Sequence, residues 1–331
     1  MTHDTATTTS VSPSGRWATI VRDFLIRHIM IVVMLGIVAF FAYRSARFAT
    51  PDNLLTILVA AAPFALIALG QTLVILTGGI DLSVGSVIAA SAMAAAWTAK
   101  AFGDNPILPL LAAVFAGLLA GAANGVVVAW LNVPPFIVTL GMLTLASGVA
   151  YVIGGGAPIN GLPASFGMWA NTGIGGLTVP VILMIAAIVG FALLMRRTTY
   201  GLRVYAIGGN RLAAEIAGVR SRGILFSVYA ISGLLAGISG LMLSSRVISG
   251  SPNLGQGYEL DAIAAVVIGG ASLMGGRGTI WGTAIGLLLI QTINNGLDLL
   301  LVPAYWQDVI KGVIIVAAVA ADVWANTRNR K

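Results

Sequence analysis

Long apolar runs separated by short polar or Gly/Pro-containing turns dominate the chain. A helix needs about 20 apolar residues to cross the hydrocarbon core of a bilayer. By that measure the runs are Ile29–Tyr43, Leu54–Leu76, Val84–Ala99, Ile107–Leu131, Phe136–Ile153, Val179–Met195, Ile224–Leu243, Leu260–Leu273, Thr279–Leu301 and Tyr305–Trp324. The pattern predicts an all-α polytopic membrane protein with about ten transmembrane helices. Val84–Ala99 and Leu260–Leu273 are short, so either is expected to be a broken or partly inserted helix. The uncharged segment Gly154–Thr178, rich in Gly, Pro and Asn, is expected to form a structured loop or an interfacial helix. Residues 1–28 read as a disordered basic tail, 29–324 as the transmembrane domain and 325–331 as a basic C-terminal tail. A division near Val179 into two bundles is also expected.

The main polar interruption is the loop 196–222, RRTTYGLRVYAIGGNRLAAEIAGVRSR, which holds six of the fifteen arginines. Asn210 is placed to N-cap a short helix through Arg211–Ala217, and Gly218 to end it in a left-handed turn. On spacing alone this is either a docking element offered to a cytoplasmic partner or a charged loop that only fixes topology. A second interruption, Gly78–Ser86 (GGIDLSVGS), pairs Gly78 and Gly79 for a sharp reversal with Asp81, expected to cap the next helix by accepting from the amides of Ser83 or Val84. The alternative for Asp81 is an ion or proton site, since carboxylates within a membrane are commonly functional. Gly117, Gly121 and Gly125 recur every four residues, as do Gly233 with Gly237 and Gly282 with Gly286. Such stripes let helices approach closely where lipid supplies no hydrophobic drive to associate. Gln71, Asn124, Thr139, Asn294 and Asn295 are polar side chains inside the spans, read as lining for a polar pathway or as interhelical hydrogen bonds. Asp308 and Lys311 are spaced to pair on one helix face, with Arg246, Glu259 and Asp261 at other outer span ends.

Composition agrees: 58% of the 331 residues are hydrophobic and 9% charged, against roughly 25% charged in soluble domains. Mean hydropathy is +0.97 and the pI about 10.1. The arginines sit in loops beside apolar spans, so the positive-inside rule explains the basicity better than nucleic acid does. With a cytoplasmic N-terminus and ten spans, 13 of the 18 Lys and Arg fall inside and Arg44, Arg47, Lys100, Arg246 and Lys311 outside, placing both termini in the cytoplasm. Arg44 and Arg47 follow the first run where a cleavage site would be needed, which favours an uncleaved first span over a signal peptide. There is no cysteine, and His3 and His28 lie near the N-terminus, so neither a metal centre nor His- or Cys-based catalysis is expected. No GxxxxGK[ST] phosphate loop occurs, so any ATP belongs to another polypeptide.

Four blocks, Gly70–Ser86 (GQTLVILTGGIDLSVGS), Pro134–Leu143 (PPFIVTLGML), Gly208–Gly218 (GGNRLAAEIAG) and Ile268–Gly286 (IGGASLMGGRGTIWGTAIG), resemble the ribose-type membrane subunits of bacterial ABC sugar importers. The likeness runs in the same order from about Asn53 to Trp324. It implies a type II ABC importer-like bundle in the bacterial inner membrane, a homodimer around a central pathway. It also implies a cytoplasmic ATP-binding subunit that carries ATP and Mg, and a periplasmic or lipid-anchored substrate-binding protein. The capped loop helix matches that family's coupling helix, with Asn210, Ala213, Ala214, Glu215 and Gly218 against the ATPase. The substrate expected from the resemblance is a pentose or hexose, with a furanone signal or nucleoside as the alternative. From a different class, an ion-coupled secondary carrier or channel would work without an ATPase. An intramembrane enzyme is disfavoured because Asp81 and Asp261, the acids nearest apolar segments, are expected on opposite sides of the membrane.

Overall fold

In the computed structural model residues 29–314 and 316 are described, and the tails 1–28 and 325–331 lie outside the described residues. The helices are α1 Ile29–Arg44, α2 Pro51–Leu76, α3 Val84–Phe102, α4 Ile107–Trp130, α5 Pro135–Gly154, α6 Met168–Asn171, α7 Val179–Arg197, α8 Thr199–Gly209, α9 Arg211–Ile216, α10 Ser221–Val247, α11 Tyr258–Ile268 and α12 Ile280–Leu299. A further helical stretch covers 304–314. Each of the ten apolar runs therefore contains a helix. Among the described residues six of them, α2, α3, α4, α5, α7 and α10, are long and apolar enough to cross a membrane.

Of the two runs expected to be broken, Val84–Ala99 extends to Phe102 and makes a helix of 19 residues. The other, α11, has only 11 residues, or about 16 Å at 1.5 Å per residue, and stops at Gly269 and Gly270. Gly270 takes φ +88°, a backbone state that a side chain disfavours. The segment after α5 folds as a 3-10 turn at Ala164–Gly167, then α6, then a hairpin of two-residue strands, β1 Gly173–Ile174 with β2 Leu177–Thr178. Phe166 plugs this segment into the bundle at 1% exposure, and the Trp169 indole donates to the Pro106 carbonyl at 2.9 Å.

The division into two bundles near Val179 does not occur. α10, from the second half, packs along α4 and also against α2 and α3. The glycine stripes explain how. A Cβ added to Gly117 would lie 2.3 Å from the Gly233 carbonyl oxygen, one on Gly121 2.3 Å from that of Tyr229, and one on Gly237 2.5 Å from that of Ala113. Gly125 meets Phe226 in the same seam. The two backbones touch, and any side chain larger than hydrogen would separate them. A second seam joins α11 to α12, where a Cβ on Gly286 would come 2.1 Å from the Ala265 carbonyl oxygen.

Candidate functional site

The loop 196–222 is ordered into two short helices, and their seating is dictated by backbone contacts. In α8, a Cβ on Gly201 would strike the Met195 carbonyl oxygen at 2.1 Å, and one on Gly208 the Leu76 carbonyl oxygen at 1.8 Å. Tyr205 donates to the Gly278 carbonyl at 2.9 Å, tying α8 to the turn before α12. Asn210 then leaves helical geometry at φ −162°, and its side-chain oxygen accepts from the Ala213 amide at 3.0 Å, the N-cap of α9. α9 ends one residue earlier than its spacing suggested, and Gly218 closes it at φ +86°. There the Val219 amide donates to the Ala214 carbonyl at 3.0 Å.

Polar ties fix α9 to the body of the protein. Arg211 donates through Nε to Glu215 at 3.0 Å and through Nη2 to the Asn132 side chain at 3.2 Å, and the Ser221 hydroxyl also donates to Glu215. Those contacts, first the Ser221 hydrogen bond and then Arg211, hold the Glu215 carboxyl below its ordinary value. Not every residue expected at a partner surface is open to one. Asn210, Ala213, Glu215 and Gly218 are exposed, Glu215 while bonded to Arg211 and Ser221, but Ala214 is buried at 6% and seats α9 on its own bundle. The free face instead carries Leu212 at 68% and Ile216 at 81% exposure, four residues apart. Sequence reasoning missed both, although their i, i+4 spacing on a recognised helix was the signal.

The Gly78–Ser86 stretch is a hub within the membrane domain. Asp81 is 1% exposed. Its Oδ1 accepts from the Ser83 amide at 3.0 Å and the Ser83 hydroxyl at 2.6 Å, and its Oδ2 from the Ser232 hydroxyl of α10 at 2.9 Å. The N-cap position itself belongs to Ser83, so Asp81 braces the turn two residues ahead of it. Gln71, with its amide oriented by the hydrogen-bonding pattern, donates to the Asp81 carbonyl at 3.1 Å and accepts from the Asp81 amide at 3.2 Å. Asn124 donates to the Ser83 hydroxyl at 3.0 Å, and Thr139 to the Ile80 carbonyl at 3.2 Å. Four helices thus converge on one turn. Gly78 supplies φ +81°, and Gly79 makes room for the Tyr229 hydroxyl, 2.4 Å from where its Cβ would stand.

This geometry makes Gln71, Asn124 and Thr139, buried at 0–1%, ties between helices instead of a solvated lining. Asn295 likewise exchanges two amide hydrogen bonds of 2.9 Å with Asn53. Asn294 borders a cavity of about 10 Å³ shared with Asp261 and Lys311. There Lys311 joins Asp308 at 2.9 Å, as its spacing suggested, and also reaches Asp261 on α11 at 3.6 Å. Asp261 is 8% exposed, so it is not the solvated outer charge its sequence position suggests. Among the described residues, no group of three or more His, Cys, Asp or Glu is placed to hold a metal ion.

Comparison with known proteins supplies the remaining finding. The family model described as "Branched-chain amino acid transport system / permease component" matches residues 53–319. The ribose import permease protein of Bacillus subtilis (strain 168) is 43% identical over 277 residues, covering 83% of this chain and 86% of that protein. Its counterpart in Escherichia coli (strain K12) is 40% identical, covering 91% and 95%. The D-allose transport system permease protein of the same strain is 39% identical, covering 86% and 88%. No solved structure matches the chain.

Proposed function

Because the chain belongs to the family of branched-chain amino acid transport system permease components, we propose that it is the membrane-spanning subunit of an ATP-driven importer for a monosaccharide. It is a permease component and not itself an enzyme. The sugar is taken from its relatives, whose names specify ribose and D-allose. Its ten apolar runs cross the bacterial inner membrane as a type II importer-like bundle, with both termini in the cytoplasm. Two copies enclose the pathway, and a periplasmic or lipid-anchored binding protein delivers the sugar. ATP and Mg are held by the cytoplasmic ATPase, and this chain binds no cofactor of its own.

The observation that carries the mechanism is α9. It is capped at both ends, tied to the α4–α5 corner and the start of α10, and turns Leu212 and Ile216 outward beside arginines. A loop that fixed topology by charge alone has no use for two exposed aliphatic side chains on a helix held this rigidly. We assign them to a cleft on the ATPase, where apolar anchors ringed by polar contacts dominate binding energy. Closure of the ATPase on ATP then pushes α9. Its ties carry the push into α10, which meets α4 backbone to backbone and holds Asp81 through Ser232. Rigid contacts of this kind pass on displacement instead of absorbing it.

The test is co-purification. Leu212→Asp with Ile216→Asp should lower association with the ATPase by about 2 kcal/mol or more, while the permease keeps its own thermal stability. ATP-driven uptake of ribose or allose into proteoliposomes should fall with it. Unchanged association would remove the docking role, and ion-driven uptake by the chain alone would replace the importer reading with a secondary carrier.

A further inference from the structure

After α10 the chain does not stay at the end of the bundle where that helix stops. A Cβ on Gly250 would come 2.5 Å from the Ala96 side chain and 3.3 Å from the Ala92 carbonyl oxygen, whereas one on Gly255 would come 2.8 Å from the Gly85 carbonyl oxygen and 2.8 Å from the Ile88 side chain. Between the two the chain has dropped along α3 from Ala92–Ala96 to Gly85–Ile88, roughly 11 Å at 1.5 Å per residue. The turn it reaches is deep. Gly85 lies between Asp81, bonded to Ser232, and Ile88, which meets Gly240, so the turn stands beside the middle of the 27-residue α10. Gly255 and Gly257, at φ +85° and +83°, reverse the chain, and α11 sets off from that depth. Its start is fixed there. Tyr258 stacks on Phe64 with ring centres 4.1 Å apart, and the Glu259 carboxylate fills the space that a Cβ on Gly85 would take.

Segment 251–257 is therefore a run of turns at mid-bilayer depth. Irregular backbone is tolerated there only where it is buried in protein or lines water. Both conditions are met, on opposite sides. Gly250, Pro252 and Gly255 are buried and Leu254 packs on the core, which seats one side in the bundle. Asn253 and Gln256 are exposed on the other. The hydroxyl of Tyr151, on α5, donates to the Asn253 side chain at 2.6 Å, while the Gln256 amide bonds to nothing among the described residues. Hydrocarbon gives an amide no partner, so this face looks onto water and not onto lipid.

The chemistry of the face suits a neutral hydroxylated solute. Asn253, Gln256 and Tyr151 are uncharged, and each amide both donates and accepts, as a sugar hydroxyl does. The Tyr151 ring, 39% exposed, adds an apolar surface for the C–H face of a sugar ring. We propose that segment 251–257, with Tyr151, forms a wall of the aqueous pathway at mid-bilayer, where Gln256 and Asn253 hydrogen-bond the hydroxyls of the passing sugar. This wall stands where Gln71, Asn124 and Thr139, which tie helices together, had been expected. The sugar rests on the importer reading above; the water-lined wall does not.

The chain has no cysteine, so single replacements report without background. Gln256→Cys, Asn253→Cys and two references are made in the full chain, reconstituted with its ATPase and binding protein in proteoliposomes. Phe115→Cys is the lipid reference: Phe115 is 66% exposed on α4, between Ala113 and Gly117, which meet Gly237 and Gly233 at the same mid-bilayer level. Ile174→Cys, 78% exposed on the hairpin, is the solvent reference. A charged methanethiosulfonate reagent, supplied on both faces, reacts with thiolate, so Gln256→Cys and Asn253→Cys should be labelled at least about tenfold faster than Phe115→Cys. Ribose or allose, raised to hundreds of millimolar, should slow both at least about twofold, the half-occupancy value, and leave Ile174→Cys unchanged. Inorganic phosphate at the same concentration should slow neither. Labelling no faster than that of Phe115→Cys overturns the wall. Fast labelling that neither sugar slows, or that phosphate slows equally, overturns the sugar contact. Labelling needs no transport, so failure of the unsubstituted assembly to take up sugar with ATP sinks the importer reading alone. If one of the two variants does not assemble, the other decides.

Discussion

Gly233→Ala is the sharpest test of how this bundle holds together. The added Cβ would stand 2.3 Å from the Gly117 carbonyl oxygen, 2.6 Å from the Gly121 Cα and 2.7 Å from the Gly121 nitrogen. All three are backbone atoms, so no side-chain rotation relieves the clash and α4 must move away from α10. Overpacking of this kind costs about 1–3 kcal/mol and occasionally more. The movement also opens the contacts at Gly117 and Gly237. Against this, Ala is favoured over Gly within a helix by about 0.5–1 kcal/mol. Gly141→Ala and Gly148→Ala on α5 isolate that smaller term, because a Cβ at either position meets nothing within 4 Å. Since the propensity term is common to all three, the two kinds of substitution should differ by the overpacking cost alone, about 1–3 kcal/mol. At roughly 2–4 °C per kcal/mol for a domain of a few hundred residues, chromatography of heated, detergent-solubilised chain will resolve the difference. Gly233→Ala that melts with Gly141→Ala would show that the two backbones are not in contact, and the route from α9 to the Asp81 hub would lose its rigid link.

Asp81→Asn should cost about 1–3 kcal/mol, since an amide nitrogen then faces a hydroxyl that had donated to a carboxylate, whereas Ser232→Ala should cost about 1; melting of both variants at the unsubstituted chain's temperature would remove the hub. Lys311→Met leaves Asp261 buried without its cation and should lose about 3–5 kcal/mol, part of which Asp261→Asn restores in the double variant; additive losses would refute the pairing. The Glu215 pKa is depressed by Ser221 and Arg211, so its ionised form stabilises α9 above the ordinary carboxylate value of 4.5, and that support is lost as pH falls through the lowered value. Amide exchange protection at Ala213–Ile216, corrected for intrinsic rate, should hold from neutrality down to that range and then drop; loss of protection near neutral pH would contradict the contact.

The apolar runs were legible because a span of 20 residues in lipid must satisfy its own backbone, so composition alone dictates helix there. The short helix α9 was legible for a local reason as well: Asn210 and Gly218 act on amides and carbonyls within a few residues of themselves. The glycine stripes showed that something would approach closely, but not that α4 would meet α10. That pairing joins Gly117 to Gly233 across the point where the chain had seemed to divide. Asp81 shows the same limit. Its bond to the Ser83 amide is local and was expected, whereas those with Ser232 and Gln71 bring in other helices and turn a cap into a hub. The orientation of α9 was likewise settled by contacts distant in sequence, with Asn132 and Ser221 drawing Arg211 and Glu215 inward and leaving Leu212 and Ile216 outward. Sequence alone determined which apolar runs become helices and that Asn210 starts one in the loop, because hydrogen bonds within a helix are made between near neighbours. Only the tertiary structure decided which faces meet, because a polar or small side chain in lipid suits many partners until packing selects one.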